Sequence, residues 1–556
     1  MKERAYNLMK RWCDTLITYK VKTNTPYTDG ALLCPACHVI HGRIADLCFP
    51  LTVIWDRTAD EKYLMEADSL IDWTEYNLKS SSGIWYNDAG NRWIGTSAFA
   101  AMSIGDAIYH FGDKLPSRYK EKWFSIYVRI MDAITHWEEN GFHPVSNYYC
   151  GIAASLALAW RITGNETYYD KSKFWLNNAL SRFDQDGLLY GEGYPMEAED
   201  GSHTIDMGYN LEESIPLLLR YSELTGEHRE FFRQRLHDHL EFLLPDGAID
   251  NSFGTRHNKW TYWGSRTSDG IISGLALVTD DTVFLNACER VLTLYEKCTH
   301  DGLLAMPMAD EAGEPTCIHH TFTHAKALAA LVCAKNVPEV RMTSIPCEEN
   351  YGIKSYQNGK LLLVSNGEFR ATFSAIHAML LDSYASNGGG SMNLLYHKSY
   401  GVICAATSAE YKPSEPLNQQ YLRNADRTPC MTAQFVIDGE MACKDKSVNL
   451  TYNGMKITSS AEKWRADYAI NSKSVTINLT SENGVYNLPI VCKKSSTVIL
   501  SSDKKMLLID SKLRINSSSP MTVDTSVRVF NQVGGLMYLP IGIEIVGTEE
   551  ISIEVL

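Results

Sequence analysis

The side chains of this chain that could do chemistry are crowded into six polar stretches. They are DGALLCPACHVIHGRIAD from Asp29, SSSGIWYNDAGNRWIGT from Ser80, ENGFHPVSNYY from Glu139, DGLLYGEGYPMEAEDGSHTIDMGYNLEES from Asp186, PDGAIDNSFGTRHNKWTYWGSRTSDG from Pro245 and DGLLAMPMADEAGEPTCIHHTFTHAK from Asp301. Carboxylates dominate them: Glu192, Glu197, Asp206, Glu212, Glu213, Asp250 and Asp269. Two carboxyl groups about 5 Å apart, or about 6.5–9.5 Å apart, are what retaining and inverting glycoside hydrolysis require. The other chemistry these stretches could support is elimination from a uronic acid. That needs a neutraliser for the sugar carboxylate and a Tyr or His to move the C5 proton. Asn147, His203, Tyr209 and His397 could supply it.

Around these acids stand groups suited to holding an acidic sugar. Arg43, Lys259 and Arg266 could take a carboxylate, a guanidinium doing so with two parallel bonds; structural pairing with Asp46 or Asp269 is the competing reading. Trp93, Trp260 and Trp263 could be stacking platforms or edge packing. His320 and His324, at i and i+4, share a helix face but lack the glutamate of a metalloprotease pair, which favours substrate hydrogen bonding. Cys34, Cys37, His38 and His41 read C-x2-C-H-x2-H. The set is compact enough for zinc, but its His spacing is not that of a finger. A tight turn with apolar thiols, leaving His41 free to enter a cleft, is the alternative. No metal or cofactor is expected.

The elements that must position these groups show an internal repeat. A long amphipathic helix leads into a Gly-marked loop at Gly83, Gly141, Gly187, Gly247 and Gly302, where a left-handed glycine could cap it. A second helix, rich in small and apolar residues, begins near His41, Thr96, Asn147, Tyr209, Thr267 and Thr321. The period is about 50 to 60 residues, one helical hairpin per unit. Segments such as SAFAAMSIGDAI and CGIAASLALAW are too apolar for a surface helix and need cover on all sides. An inner ring of six helices wrapped by six others provides it, and the long loops then converge on one face. An open helical solenoid is the rival arrangement.

After residue 336 the text changes to short β-forming runs such as LLLVSN, SVTINL and STVILSS, separated by Gly, Asn and Ser. The expected organisation is a helical toroid over 1–336, a linker over 337–349 and an antiparallel β-sandwich-like domain over 350–556: an α+β multidomain chain. The net charge of −14 disfavours nucleic acid and any long polyanion spread over the surface. No apolar run reaches membrane-span length. The first residues, MKERAYNLMKRW, lack the apolar core of a signal peptide, so a cytoplasmic location is expected, or a periplasmic one if a signal has been removed. The 14 Cys show no disulfide-framework spacing. Homo-oligomerisation is left open.

CPACHVIHGR, GYNLEES, LPDGAIDNSFGTR, KWTYWGSRTSDG and CIHHTFTHAKALA resemble bacterial exo-β-glucuronidases built on an (α/α)6 ring. The architecture also resembles uronic-acid polysaccharide lyases of the heparinase II/III type, and GGGSMNLLYHKSYG resembles the β-domain that in those lyases lends a histidine to the cleft. The resemblance implies a carbohydrate-active enzyme on uronic-acid glycans. The loop acids tip the expectation toward an exo-β-glucuronidase: Glu212 or Glu213 faces Asp250 or Asp269 across a terminal glucuronic acid, with Glu192, Glu197 and Asp206 in reserve. A polysaccharide lyase is the runner-up and a non-catalytic glycan binder the third reading.

Overall fold

The computed structural model describes residues 1–193, 196–198, 201–256, 262, 268–377, 379–380, 384–385, 387–407, 430–531 and 534–556. Amphipathic helices form the outer layer of a double ring: α1 (Lys2–Thr18), α3 (Lys62–Leu78), α5 (Ser117–Thr135), α7 (Glu166–Leu180), α10 (Arg229–His239) and α12 (Thr282–Lys297). In α1 the buried residues are Ala5, Tyr6, Leu8, Met9, Trp12, Cys13 and Leu16, one stripe at helical spacing. The inner helices are α2 (Cys48–Thr58), α4 (Ser97–Phe111), α6 (Ser146–Thr163), α8 (Met207–Tyr209) continuing into α9 (Ile215–Thr225), α11 (Ile272–Leu275) and α14 (Ile318–Cys333). A short α13 (Ala309–Ala312) lies in the sixth loop. Each inner helix touches the next, and α14 returns to α2, so the ring closes. Its last pair is made by chain ends, with α1 packed on α14.

Two local features differ from the sequence reading. Gly83, Gly187, Gly247 and Gly302 are left-handed, as expected. They sit five or more residues beyond the helices, however, at the tips of miniature hairpins such as Lys79↔Trp85 and Phe183↔Leu189, and do not cap them. The fifth inner helix, expected from near Thr267, is only Ile272–Leu275. A side chain on Gly274 would stand 2.7 Å from the Cα of Pro216, so α11 and α9 approach at backbone contact over a short stretch.

The last ring helix ends at Cys333 and the first strand of the second part is Gly352–Tyr356. Five antiparallel strands follow in sheet order Gly352–Tyr356, Leu361–Ser365, Phe369–Ser374, Ser391–His397 and Gly401–Ala405. The three middle strands are buried at every position, because this sheet has cover on both faces. Leu361, Leu363, Leu394 and Tyr396 belong to the core of the ring. Leu362, Val364, Phe369 and Phe373 pack with Ile457, Tyr468 and Ile477 of a larger antiparallel sheet. The period of two thus divides one sheet between two cores. This helical toroid followed by antiparallel β-sheets is the expected fold class. Among the described residues no helix is long and apolar enough to cross a membrane.

Candidate active site at the mouth of the ring

Inner helix four begins at Asp206, whose side chain caps it. Oδ1 accepts from the Tyr209 amide at 2.9 Å, and Oδ2 accepts from Asn251 Nδ2 at 3.0 Å and the Arg256 amide at 2.8 Å. One carboxylate therefore fixes Tyr209 at a helix start and the fifth loop beside it. The guanidinium of Arg256 lies 4.9 Å from the centre of the Tyr209 ring. Its Nε is 3.4 Å from Glu192 Oε2, and Glu192 Oε1 accepts from the Asn147 amide at 2.6 Å in the first turn of α6. Asn147 is buried, and its side-chain oxygen has no hydrogen-bond partner. The neighbouring Tyr148 hydroxyl accepts from Trp93 Nε1 at 2.7 Å, and Trp93 is 38% exposed with Phe142 at its side. Asn147, Tyr148, Tyr209, Arg256 and Trp93 thus come together from loops two to five. Tyr148, Asn251 and Arg256 escaped the sequence reading, although Arg256 lies inside the quoted LPDGAIDNSFGTR.

The chemistry of this cluster follows from burial. Loss of water pushes Glu192 up to about 7, opposed by Arg256. Both its oxygens face protein groups, so it holds Asn147 and Arg256 in place and leaves no face for a sugar. Glu213 is pushed up to about 8, first by burial and then by Asp269. It sits on a π-helical segment, Asn210–Ser214, inserted between α8 and α9. The same segment turns Glu212 toward α14, where its oxygens face Ser268 Oγ at 3.2 Å, the Tyr295 hydroxyl at 3.4 Å and His324 Nε2 at 3.5 Å.

Next to Glu213 lies a closed set of charges. Arg43 bonds Asp46 and Asp269, each at 2.8 Å; Lys326 reaches Asp269 at 2.8 Å and Asp46 at 3.1 Å. Two cations and two anions balance, and a protonated Glu213 beside them adds no charge near neutrality. The arrangement is held by Gly42, where any side chain would overlap the carbonyl of Asn87. Arg43 is thus paired with two carboxylates, and Asp269 is kept low by Lys326 and Arg43 against burial.

Asp250 is likewise held by protein partners on both oxygens. One oxygen takes Arg370 Nη1 at 3.0 Å and the Thr372 hydroxyl, and the other takes Ser252 Oγ at 2.7 Å. It joins the ring to the five-stranded sheet. His203 stacks on Tyr190 at 4.1 Å, and its amide donates to Gln357 at 2.8 Å, at the same junction. His397 is opposite Phe369 in the register and lies 4.5 Å from its ring. Paired residues share a sheet face, so His397 turns toward the β-sandwich core and away from the ring mouth. His320 and His324 are both buried in α14, His324 between Glu212 and Tyr295. His41 points into a group of thiols and not into a sugar cleft. Glu197 is exposed on a bridge with His203. Lys259, Trp260, Trp263 and Arg266 lie outside the described residues.

The ulvan lyase N-terminal domain family matches residues 9–349, and the ulvan lyase C-terminal domain family matches 353–443 and 439–556. A broad-specificity ulvan lyase of Formosa agariphila is 32% identical over 97% of this chain and 91% of its own length. Among solved structures, heparinase III superposes with a TM-score of 0.58 at 12% identity, covering 99% of this chain and 85% of that one. A chondroitin AC lyase of Streptomyces coelicolor A3 gives 0.55 at 12% identity, over 100% and 79%. These two likenesses carry the fold. The family matches overturn the glucuronidase reading: the expected glycoside hydrolase is corrected to a polysaccharide lyase. Of the expected acids, Asp250 and Asp269 are held in ion pairs with Arg370, Arg43 and Lys326. From the helical toroid to the last strand, this chain belongs to the ulvan lyase family.

Proposed function

We propose that this protein cleaves ulvan-type, uronic-acid-containing polysaccharide by β-elimination at the mouth of the ring. The observation that carries the reading is the guanidinium of Arg256 over the ring of Tyr209, joined through Glu192 to Asn147 on the adjacent inner helix. Elimination removes the proton from C5 of the uronate. The electron pair becomes the C4=C5 double bond, and the C4–O bond breaks with a proton delivered to the leaving oxygen. Tyr209 is assigned the proton transfers, and the fixed positive charge of Arg256 stabilises negative charge as it develops on the phenol oxygen. The side-chain amide nitrogen of Asn147 is assigned as the donor to the uronate carboxyl. Trp93 offers an exposed aromatic face for a sugar ring.

Incubation with ulvan tests this directly. The expected result is a rise in the ultraviolet absorbance of an unsaturated uronate at every cleavage. Release of saturated uronic acid without that absorbance would overturn the elimination. No cleavage of ulvan beside efficient cleavage of another uronic-acid glycan would overturn the substrate assignment alone.

A further inference from the structure

Three cysteines and one histidine from opposite ends of the ring sequence converge at its closing seam. Cys34, Cys37 and His41 come from the first long loop, and Cys317 is the residue that opens α14. Their ligand atoms all lie within 4.8 Å of one another, and all four side chains are buried. Cys37 Sγ is 3.6 Å from Cys317 Sγ, and Cys317 Sγ is 3.5 Å from His41 Nε2. A tetrahedron with zinc–sulfur bonds of about 2.3 Å and a zinc–nitrogen bond of about 2.0 Å has edges of about 3.8 Å between sulfurs and about 3.5 Å from sulfur to nitrogen. The two distances match those edges. The sulfur separation is far beyond a disulfide bond of about 2.0 Å, and none of the 14 cysteines is in a disulfide.

The backbone is shaped for the same purpose. The Cys37 amide donates to Cys34 Sγ at 3.4 Å, as in a turn that wraps a metal-bound thiolate. The Cys34 amide donates to Val39 O at 3.0 Å and the His38 amide to Cys34 O at 3.0 Å, while His38 takes a left-handed conformation at φ 56°. That turn sends His38 to the surface and brings His41 back to the thiols. Of the C-x2-C-H-x2-H text, three residues enter the cluster, and the fourth position is filled from far along the chain.

We propose that Cys34, Cys37, His41 and Cys317 hold one zinc ion in a closed tetrahedral site that pins the first loop to the start of the last inner helix. Three soft sulfurs and one imidazole select zinc over magnesium or calcium, which prefer oxygen. Four protein ligands leave no open position, so the ion is structural and takes no part in the cleavage. Its place explains why it would be needed. The ring is closed by non-consecutive elements, α1 and α2 against α14, and the ion ties that seam two residues before Arg43. The inference stands apart from the lyase reading.

Elemental analysis of the full chain, produced with zinc in the medium and purified without metal-affinity resin, tests it. About one zinc per chain is expected. Thiol titration in denaturant with chelator should find all 14 cysteines, and cobalt-grown protein should show the intense visible bands of tetrahedral thiolate coordination. Cys317→Ser should lose the zinc, whereas His38→Ala should keep it. If Cys317→Ser does not fold, stripping the wild-type protein with a chelator should lower its Tm by about 5 °C or more, with return on adding zinc. Zinc near zero, an equivalent of iron in its place, or two thiols missing to a disulfide would each overturn the proposal.

Discussion

Two neighbouring clusters of charged and polar side chains are built from the same kind of loop text, and they have opposite characters. In the first, Arg43, Lys326, Asp46 and Asp269 satisfy one another from loop one, loop five and α14. In the second, Arg256, Glu192, Asp206 and Asn251 bond one another so as to hold Tyr209 and Asn147 at the mouth, and the Asn147 side-chain oxygen has no hydrogen-bond partner. The difference teaches that a buried charge points to chemistry only when its partners leave something over. The charges in the first cluster cancel, and its role is to set the ring. The mouth cluster fixes a phenol and an amide, the groups to which the proposed elimination assigns proton transfer and carboxylate binding.

The sharpest way to break this comparison is to remove the phenol. Tyr209→Phe should lower kcat on ulvan by about 10²- to 10⁴-fold, the range of a positioned proton-transfer group, with the thermal transition unchanged. Arg256→Lys keeps the charge but loses the planar stack, so a smaller fall of about 10- to 100-fold in kcat is expected. Near-normal turnover of Tyr209→Phe would remove the mouth cluster from the chemistry.

Next comes the closed set. Lys326→Met leaves Asp46 and Asp269 sharing one guanidinium, and should cost about 3–5 kcal/mol in a denaturant titration. The double change Lys326→Met with Asp269→Asn should recover part of that loss, because the uncompensated anion is gone. If the single change were harmless, the four groups would not be a balanced unit.

A third variant separates the two enzyme classes. Asp250→Asn removes the anion that Arg370 and Thr372 grip, so a loss of about 2–3 kcal/mol is expected from weakened docking of the β-sheet on the ring. The kcat of the folded enzyme should stay within about two-fold. A fall of several orders of magnitude, with stability intact, would restore Asp250 as a catalytic acid.

How much of this was legible beforehand depends on sequence distance. The ring was readable because its signals are local: a helical stripe and an apolar partner in six hairpins, with a Gly-marked loop at five of them. Asn147, Tyr209 and Trp93 were readable because loops that precede inner helices must gather at one face. Asp250 misled because its partner Arg370 is 120 residues away on a strand. Asp269 misled because Lys326 looks like one more polar helix residue in HTFTHAKALA. Cys317 stands 280 residues from Cys37, so the incomplete cysteine–histidine text had no visible fourth member. The short α11 is a backbone contact between Gly274 and Pro216, which no periodicity records.

The smallest effect, and the one that tests the bookkeeping between the two clusters, concerns Glu213. In the folded ring its carboxyl holds its proton up to about 8, while in the unfolded chain it releases it near 4.5. Between these values the unfolded state binds fewer protons, so this group makes the fold less stable as pH rises from about 4.5 to 8. Asp269 works in the other direction, since its pKa is lowered. Its contribution is present above its ordinary value of 3.8 and fades only in acid, so it is constant over the same window. Glu213→Gln mimics the protonated form at every pH. Urea titrations should therefore find wild type and variant nearly equal at pH 5. At pH 8 the variant should be more stable by roughly 1–2 kcal/mol, less than the full shift because relaxation and water entry around an ionised buried carboxylate soften its cost. A gap that does not change with pH would mean that Glu213 is already charged in the fold. The closed set would then carry a net negative charge, and the contrast between a cancelled cluster and a poised one would fail at its central residue.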